Sequence, residues 1–257
     1  MTTHPTRKIA RVLSSPIDVI NWDDAVARVS TWADHHDSRY VCFCNVHSIV
    51  IADLESAFSE VIARSDMTVP DGAPIVWMLR LQGYSSQERI NGPDFMWRYL
   101  ALAESKQEPV YFYGSAPHNL AELIAKVRQA FPNINIVGSY SPPFRALTLD
   151  EDEDIINNIN ASGAKTLWVS LGCPKQEAWM AAHRGQIQAV MLGVGAAFNY
   201  HSGQIKRPPL WMQRYGLEWW GRLWTNPLLL WRRYLVTNLL FLWSAAIQLW
   251  KSVAFHG

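Results

Sequence analysis

The chain lacks a surplus of either charge: 23 Lys and Arg stand against 22 Asp and Glu in 257 residues. A neutral average argues neither for nucleic acid nor for an acidic polymer as partner, and no nucleic acid is expected. Cysteine is scarce, with three residues, an odd number at no zinc-like spacing. Cys42 and Cys44 stand in an apolar, strand-like run, so buried thiols in a reducing compartment are expected. Near the start, Arg7, Lys8 and Arg11 are joined by no apolar h-region, so no signal peptide is read and the bulk of the chain is expected in the cytoplasm. An apolar run of membrane-spanning quality is missing too. The 17 uncharged residues between Arg233 and Lys251 include Thr237, Asn238, Ser244 and Gln248. A spanning helix needs about 20 predominantly apolar residues.

Tryptophan, by contrast, is plentiful and unevenly placed: of 13, seven lie in the last 57 residues (Trp211, Trp219, Trp220, Trp224, Trp231, Trp243, Trp250). From His201 onward seven Lys and Arg face Glu218 alone, a local net of +6 hidden by the average. Such asymmetry suggests that one part of the chain meets an anionic surface. Residues 207–257, which follow the change of composition at Pro208-Pro209, read as a helical appendage to a core of residues 1–206. Coincident Trp, Leu and Arg suit a helix lying in the bilayer interface. A helix packed on the core or on a second subunit of a homo-oligomer is the alternative.

Within the core, short apolar runs alternate with helical spacing. Strands are expected at Tyr40–Val46, Met67–Val69, Val110–Tyr113, Ile134–Val137, Thr166–Leu171 and Ala189–Leu192, with residues 1–21 as a leader pairing at an edge. Helices are expected at Trp22–Asp34, Ser48–Arg64 (apolar at Val50, Leu54, Ala57 and Val61), Asn119–Ala130, Leu149–Asn160 and Lys175–His183. The alternation predicts an α/β fold, Rossmann-like, with a mostly parallel sheet flanked by helices. Ligands of such sheets bind at the carboxyl ends of the strands, so the loops after them hold the candidate chemistry.

Five segments stand out there. Pro70-Asp71-Gly72 follows a strand, and by spacing alone Asp71 reads as a helix cap, with a general base as the other role. In Arg89-Ile90-Asn91-Gly92-Pro93-Asp94, Asp94 reads as an N-cap and Arg89 as a surface charge or a fork for a diphosphate. Gly172-Cys173-Pro174-Lys175-Gln176-Glu177 is a strand-to-helix turn with Pro at the first helical position, either a plain connection or an anion site. Gly193-Val194-Gly195-Ala196-Ala197-Phe198 matches part of a dinucleotide fingerprint, which keeps a nucleotide-dependent oxidoreductase as a rival reading. Asp150 to Asp154 carries Asp-x-Asp spacing, but Thr148 and Glu151 form a capping box, so it reads as a helix start. No metal and no cofactor are inferred. His47 is expected at a pocket edge or helix start, and His201 as a hydrogen-bonding loop residue.

The order Asn45-Val46-His47-Ser48, VPDGAPIVW, ERINGPD, GCPKQEAW, GVGAAFNYHSGQIKRPP and GLEWWGRL resembles the WecG/TagA/CpsF glycosyltransferases, glycosyltransferase family 26, over about residues 40–235. The resemblance implies an inverting transferase on a Rossmann-like core. It implies transfer of a hexose, N-acetylhexosamine or uronic acid from a UDP-sugar to a polyprenyl-diphosphate-linked saccharide, peripheral on the inner face of the cell membrane. It makes Asp71 the catalytic base, Asn45 a pocket residue, Arg89 a phosphate-binding arginine, and Gln176 and Gly195 donor-site residues. Arg214 and Arg222 become appendage candidates for closing over the diphosphate. Two departures concern the sugar: Phe43 stands where many members have Thr, and Asn199 where many have Asp. The Asn-x-His-Ser form is more similar to exopolysaccharide members than to teichoic-acid ones. A non-catalytic membrane scaffold is the remaining rival.

Overall fold

A computed structural model of the chain describes residues 7–214, Glu218, Trp220, Leu223 and 227–254, without the side chains of 210, 214, 227–234 and 252–254. Two compact units are formed. The first gathers the residues up to Asn21, Cys44–Ile90 and the chain from Arg207 onward; the second gathers Trp22–Phe43 and Asn91–Lys206. The compositional change near Arg207 is thus also the point at which the chain rejoins the first unit.

The second unit carries the larger part of the α/β sheet. Its parallel strands β3 (Arg39–Cys44), β8 (Val190–Gly193), β7 (Thr166–Ser170), β5 (Val110–Gly114) and β6 (Ile136–Tyr140) lie side by side in that order. Tyr40 is in register with Met191, Met191 with Leu167, and Leu167 with Tyr111. β5, β7 and β8 are buried throughout, which explains their unbroken apolar reading in sequence. Helices α1 (Trp22–Asp34), α5 (Gly92–Ser105), α6 (Pro117–Ala130), α7 (Leu149–Ala161), α8 (Lys175–His183) and α9 (Ala197–His201) complete the unit. An aromatic run, Trp22, Phe95, Tyr99 and Trp168, fills its interior at centroid spacings of 6.2, 6.1 and 5.7 Å. Phe43 packs edge-on against Phe95 and is 5% exposed, so this departure from the family pattern is a core residue.

A buried acid sits at the edge of this core. Glu108 is 2% exposed and accepts hydrogen bonds from the hydroxyls of Tyr99 (3.2 Å) and Thr166 (3.3 Å). Burial pushes its pKa up, against the opposing pull of those hydroxyls and of Lys106 and Lys165. An acid whose pKa is raised by folding binds its proton more tightly in the native state. Its contribution to stability therefore falls as pH climbs from the ordinary carboxylate range through the raised value. Glu108→Gln is expected to stabilise the protein near pH 8, with the gain shrinking as pH falls through the raised value into the ordinary carboxylate range. Denaturant unfolding of both proteins across that range checks this; a difference that does not change with pH would contradict it.

In the first unit, β1 (Ile9–Val12) and β2 (Ser15–Asp18) form an antiparallel hairpin. The leader therefore pairs with itself rather than as an edge of the large sheet. Asp18 is the anchor: it is 1% exposed and accepts from Arg7, from the Thr68 amide at 2.8 Å and from the Thr68 hydroxyl at 3.0 Å. Thr68 belongs to β4 (Met67–Pro70). α4 (Ala73–Leu81) follows β4.

The expected single helix over Ser48–Arg64 is instead two, α2 (Val46–Leu54) and α3 (Ser56–Ala63). Glu55 between them is extended, and its amide closes α2 on the Ile51 carbonyl. The break shifts the buried face by one residue: Phe58 and Ile62 are buried, whereas Leu54 is 67% exposed. Neither Gly nor Pro marks the break, so periodicity ran straight through it.

After α10 (Leu210–Arg214), the C-terminal helix α11 spans Pro227–Ala254. It packs on α2, and three stripes at helical spacing are distinct. Thr237, Phe241 and Ala245 are buried, while Gln248 accepts from the Leu13 amide at 2.8 Å and donates to the Arg11 carbonyl at 2.9 Å, pinning the hairpin turn. Val236, Leu240, Trp243, Ile247 and Trp250 form a second, exposed stripe. The third is described with the site. Among the described residues no helix is long and apolar enough to cross a membrane.

Candidate active site

The first unit brings Asn45, Asp71 and Arg89 to one cavity, with Glu218, which sequence reading did not single out. Asn45 directly follows β3 and is the N-cap of α2. Its Oδ1 accepts from the amides of His47 (3.0 Å) and Ser48 (3.3 Å), and the Ser48 hydroxyl accepts from the Asn45 amide at 2.9 Å. This reciprocal capping fixes the side-chain amide at the cavity wall. His47, in the first turn of α2, lines the same cavity.

Asp71 is not the cap of α4. Gly72 holds that position and has no side chain to make a cap bond, while the Asp71 side chain is turned to Arg89. The turn is held from two sides. The Asp71 amide donates to the Cys44 carbonyl at 2.9 Å, and the Ile90 amide donates to the Pro70 carbonyl at 3.0 Å. Arg89 Nε donates to the Asp71 carbonyl oxygen, one Nη reaches Asp71 Oδ1 at 3.4 Å, and the same Nη binds Glu218. The other Nη reaches the Gln213 carbonyl at 3.4 Å. At 3.4 Å the Arg89–Asp71 side-chain contact is a charge contact, not a tight fork. Burial opposes the Arg89 charge, but Asp71 and Glu218 more than offset it, and the guanidinium pKa rises further above its ordinary value. Glu218 also faces Arg207 at 3.6 Å.

In the second unit Gln176 and Gly195 come together. Gln176 is 4% exposed; its Nε2 donates to the Gly193 carbonyl at 2.8 Å and to Glu177 at 2.9 Å. Its Oε1 is buried with no hydrogen-bond partner among the described residues. Gly195 has φ +51°, and a Cβ there would sit 3.4 Å from that Oε1. Ser170 Oγ donates to the Gly195 carbonyl at 2.7 Å. The chain leaves β5 toward β6 on one side and β7 toward β8 on the other, so the ends of β5 and β7 form a topological switch point. Gly114 there has φ +113°, and a Cβ would fall 2.4 Å from the Ser170 carbonyl oxygen, which only glycine permits.

Pro174 is at the cap position of α8 rather than the first helical position, which Lys175 takes. Asn91, not Asp94, caps α5: its Oδ1 accepts from the Asp94 amide at 2.9 Å and its amide nitrogen donates to the Asp94 carboxylate at 2.6 Å. Thr148 and Glu151 form the expected capping box of α7. Asn199 accepts from Asn119 at 2.6 Å, in a cluster with Ser115 and Ser202. His201 bonds to the Pro93 carbonyl at 2.9 Å, at the end of α9 rather than in a loop. No group of three or more His, Cys, Asp or Glu among the described residues is placed to hold a metal ion. Arg222 and the Arg214 side chain lie outside the described residues.

The family described as "Glycosyl transferase WecG/TagA/CpsF family" matches residues 10–254. The chain belongs to that family. It is similar to a Bacillus spizizenii protein named N-acetylglucosaminyldiphosphoundecaprenol N-acetyl-beta-D-mannosaminyltransferase, 34% identical over 207 residues, 80% of this chain and 78% of the relative. A Bacillus subtilis protein of the same name is 32% identical over 171 residues, 66% of this chain and 65% of its own length. Membership also disposes of the oxidoreductase reading of Gly193–Phe198. α9, which follows that turn, is a five-residue helix, and no strand follows it among the described residues.

Among the cavity residues that sequence reading of this glycosyltransferase missed are Trp77, Leu81 and Glu218. Trp77 and Leu81 were legible only as helical apolar positions. Glu218 was visible as the lone acid in a basic segment, a contrast that pointed to it without saying which cation it meets.

Proposed function

We propose that this glycosyltransferase moves a hexose, N-acetylhexosamine or uronic acid from a UDP-sugar to a polyprenyl-diphosphate-linked saccharide, with inversion, in the assembly of bacterial surface or exopolysaccharide. The observation that carries the reading is the Asp71 carboxylate beside the Arg89 guanidinium in one cavity, at the carboxyl end of β4. Asp71 takes the proton of the acceptor hydroxyl as that oxygen bonds to the anomeric carbon. The bond from the anomeric carbon to the phosphate oxygen breaks from the opposite side, and UDP leaves with the electron pair. Arg89 is a fork suited to diphosphate, and it stays charged throughout.

The donor assignment rests on the switch point and on the Gln176–Gly195 turn, the kind of place where open parallel sheets take nucleotides. Peripheral attachment to the inner membrane face is supported by the exposed stripe of α11, in which Trp243 is 70% and Trp250 71% exposed. The names of the Bacillus relatives put N-acetylmannosamine first among the sugars transferred and an N-acetylglucosaminyl diphospholipid first among acceptors.

The test is a donor panel. Purified protein, a short-chain N-acetylglucosaminyl diphospholipid and UDP-N-acetylmannosamine, its uronic acid, UDP-glucose and UDP-glucuronic acid are incubated separately. One donor is expected to give a disaccharide lipid with inverted anomeric configuration. No transfer from any of them, with protein that binds vesicles normally, would favour the scaffold reading.

A further inference from the structure

The cavity that holds Asp71 and Arg89 continues as a groove of about 810 Å³ within the first unit, and most of its lining is apolar. One wall is α4, which presents Trp77, Met78 and Leu81. The facing wall is the third stripe of α11, with Leu235, Leu239, Leu242 and Leu249 among its residues. Large apolar side chains stand bare along both walls: Trp77 is 51% exposed, Leu81 68%, Leu239 59% and Leu242 64%. From Ala73 to Leu81 the α4 wall runs about 12 Å at the helical rise of about 1.5 Å per residue. It begins next to Asp71 and Arg89, so the groove grades from charged to apolar along α4. A volume of this size is that of a small-molecule site, and a bare apolar lining of this extent calls for an apolar occupant.

The order of groups along the walls restricts what that occupant is. Asp71 and Arg89 are adjacent at 3.4 Å, and Arg89 already carries an anion of the chain's own, Glu218. Its outward edge is therefore shaped to hold an anion, and a ligand diphosphate there takes the place of the Glu218 carboxylate. A lipid-linked sugar has its reacting hydroxyl, its diphosphate and its hydrocarbon in that sequence, and the groove offers Asp71, Arg89 and apolar wall in the same sequence.

We propose that the groove walled by α4 and the third stripe of α11 binds the first isoprene units of the acceptor lipid, with its diphosphate replacing Glu218 on Arg89. This rests on the acceptor reading above and adds to it a dedicated isoprenoid site, separate from the Trp243 and Trp250 stripe. The enzyme then selects its acceptor by the lipid as well as by the sugar.

The full chain, without any sugar donor, is titrated calorimetrically with geranylgeranyl diphosphate and with inorganic diphosphate. The prenyl probe is expected to bind at least tenfold more tightly. The double variant Leu239→Asn, Leu242→Asn changes two exposed positions without adding charge, and it is expected to abolish that preference while leaving inorganic diphosphate affinity unchanged. Glu218→Gln is expected to tighten both probes several-fold. Equal affinities in the wild-type protein, or a preference that survives the double variant, would overturn the groove; weaker diphosphate binding by Glu218→Gln would remove the head group from Arg89. Vesicles of phosphatidylglycerol free of prenyl lipid give the third arm. Binding to them is expected to fall in Trp243→Ser, Trp250→Ser and to persist in the double Leu variant. The reverse pattern would make the groove a bilayer contact and end the proposal. Because the titrations use no donor, a failure of the transfer assay and a failure of the groove are read separately.

Discussion

Asp71→Asn is expected to lower kcat by about 10²–10⁴-fold, the usual contribution of a general base. The replacement keeps the shape of the side chain and its Oδ1 acceptor, and the backbone bond from residue 71 to the Cys44 carbonyl at 2.9 Å is untouched. What it removes is the capacity to take a proton. It also removes one of the two carboxylates that face Arg89, so affinity for inorganic diphosphate should hold or increase. Those two directions separate a base from a binding residue: turnover falls while diphosphate affinity does not. Initial rates at saturating donor and acceptor, with calorimetric titration of inorganic diphosphate, check both. A variant with normal kcat would place the base elsewhere, and one with weakened diphosphate binding would make Asp71 a structural partner of Arg89.

Asp18→Ala is expected to be strongly destabilising, at about 3 kcal/mol. Its carboxylate takes several hydrogen bonds or ion-pair contacts inside the first unit. They come from Arg7 Nε at 2.9 Å, an Arg7 Nη at 2.8 Å, the Thr68 amide at 2.8 Å and the Thr68 hydroxyl at 3.0 Å. Truncation strands the Thr68 amide and leaves the half-buried Arg7 without its counter-charge. Asp18→Asn should cost less, since one oxygen can still serve Thr68. Asp23→Ala is the comparison, because the Asp23–Arg98 pair at 2.5 Å has Asp23 85% exposed. It should cost less than about 1 kcal/mol. Denaturant midpoints of the three variants test the ranking; equal losses for Asp18 and Asp23 would mean that burial of the pair contributes nothing.

The readable parts of this protein were those governed by local pattern. β5, β7 and β8 are covered on both faces, so they appear as unbroken apolar runs bounded by turn residues, and the α/β class followed from their alternation with helices. The Thr148–Glu151 capping box was readable because both partners lie within one turn. Asp71, Arg89 and Asn45 stood out by the order of motifs, not by their own spacing. On spacing alone Asp71 was a helix cap, and that reading was wrong because Gly72 takes the cap position. The Ser48–Arg64 helix was misread for a related reason. Glu55 breaks it without Gly or Pro, and the resulting one-residue phase shift is a packing outcome that buries Phe58 and Ile62.

By itself, then, the sequence determined the strand–helix alternation, the helix starts capped by near neighbours, the basic Trp-rich C-terminal segment and, through motif order, the family. Each depends on residues within a turn or two of one another, or on composition. Only the tertiary structure decided what Asp71 faces, since Arg89 lies 18 positions away and Glu218 lies 129 positions beyond Arg89. It alone divided α11 into a buried stripe, a groove stripe and an outward stripe. The apolar residues of that helix are too many for periodicity to tell which of them has a partner. Packing settles that, and packing joins elements that the chain keeps far apart.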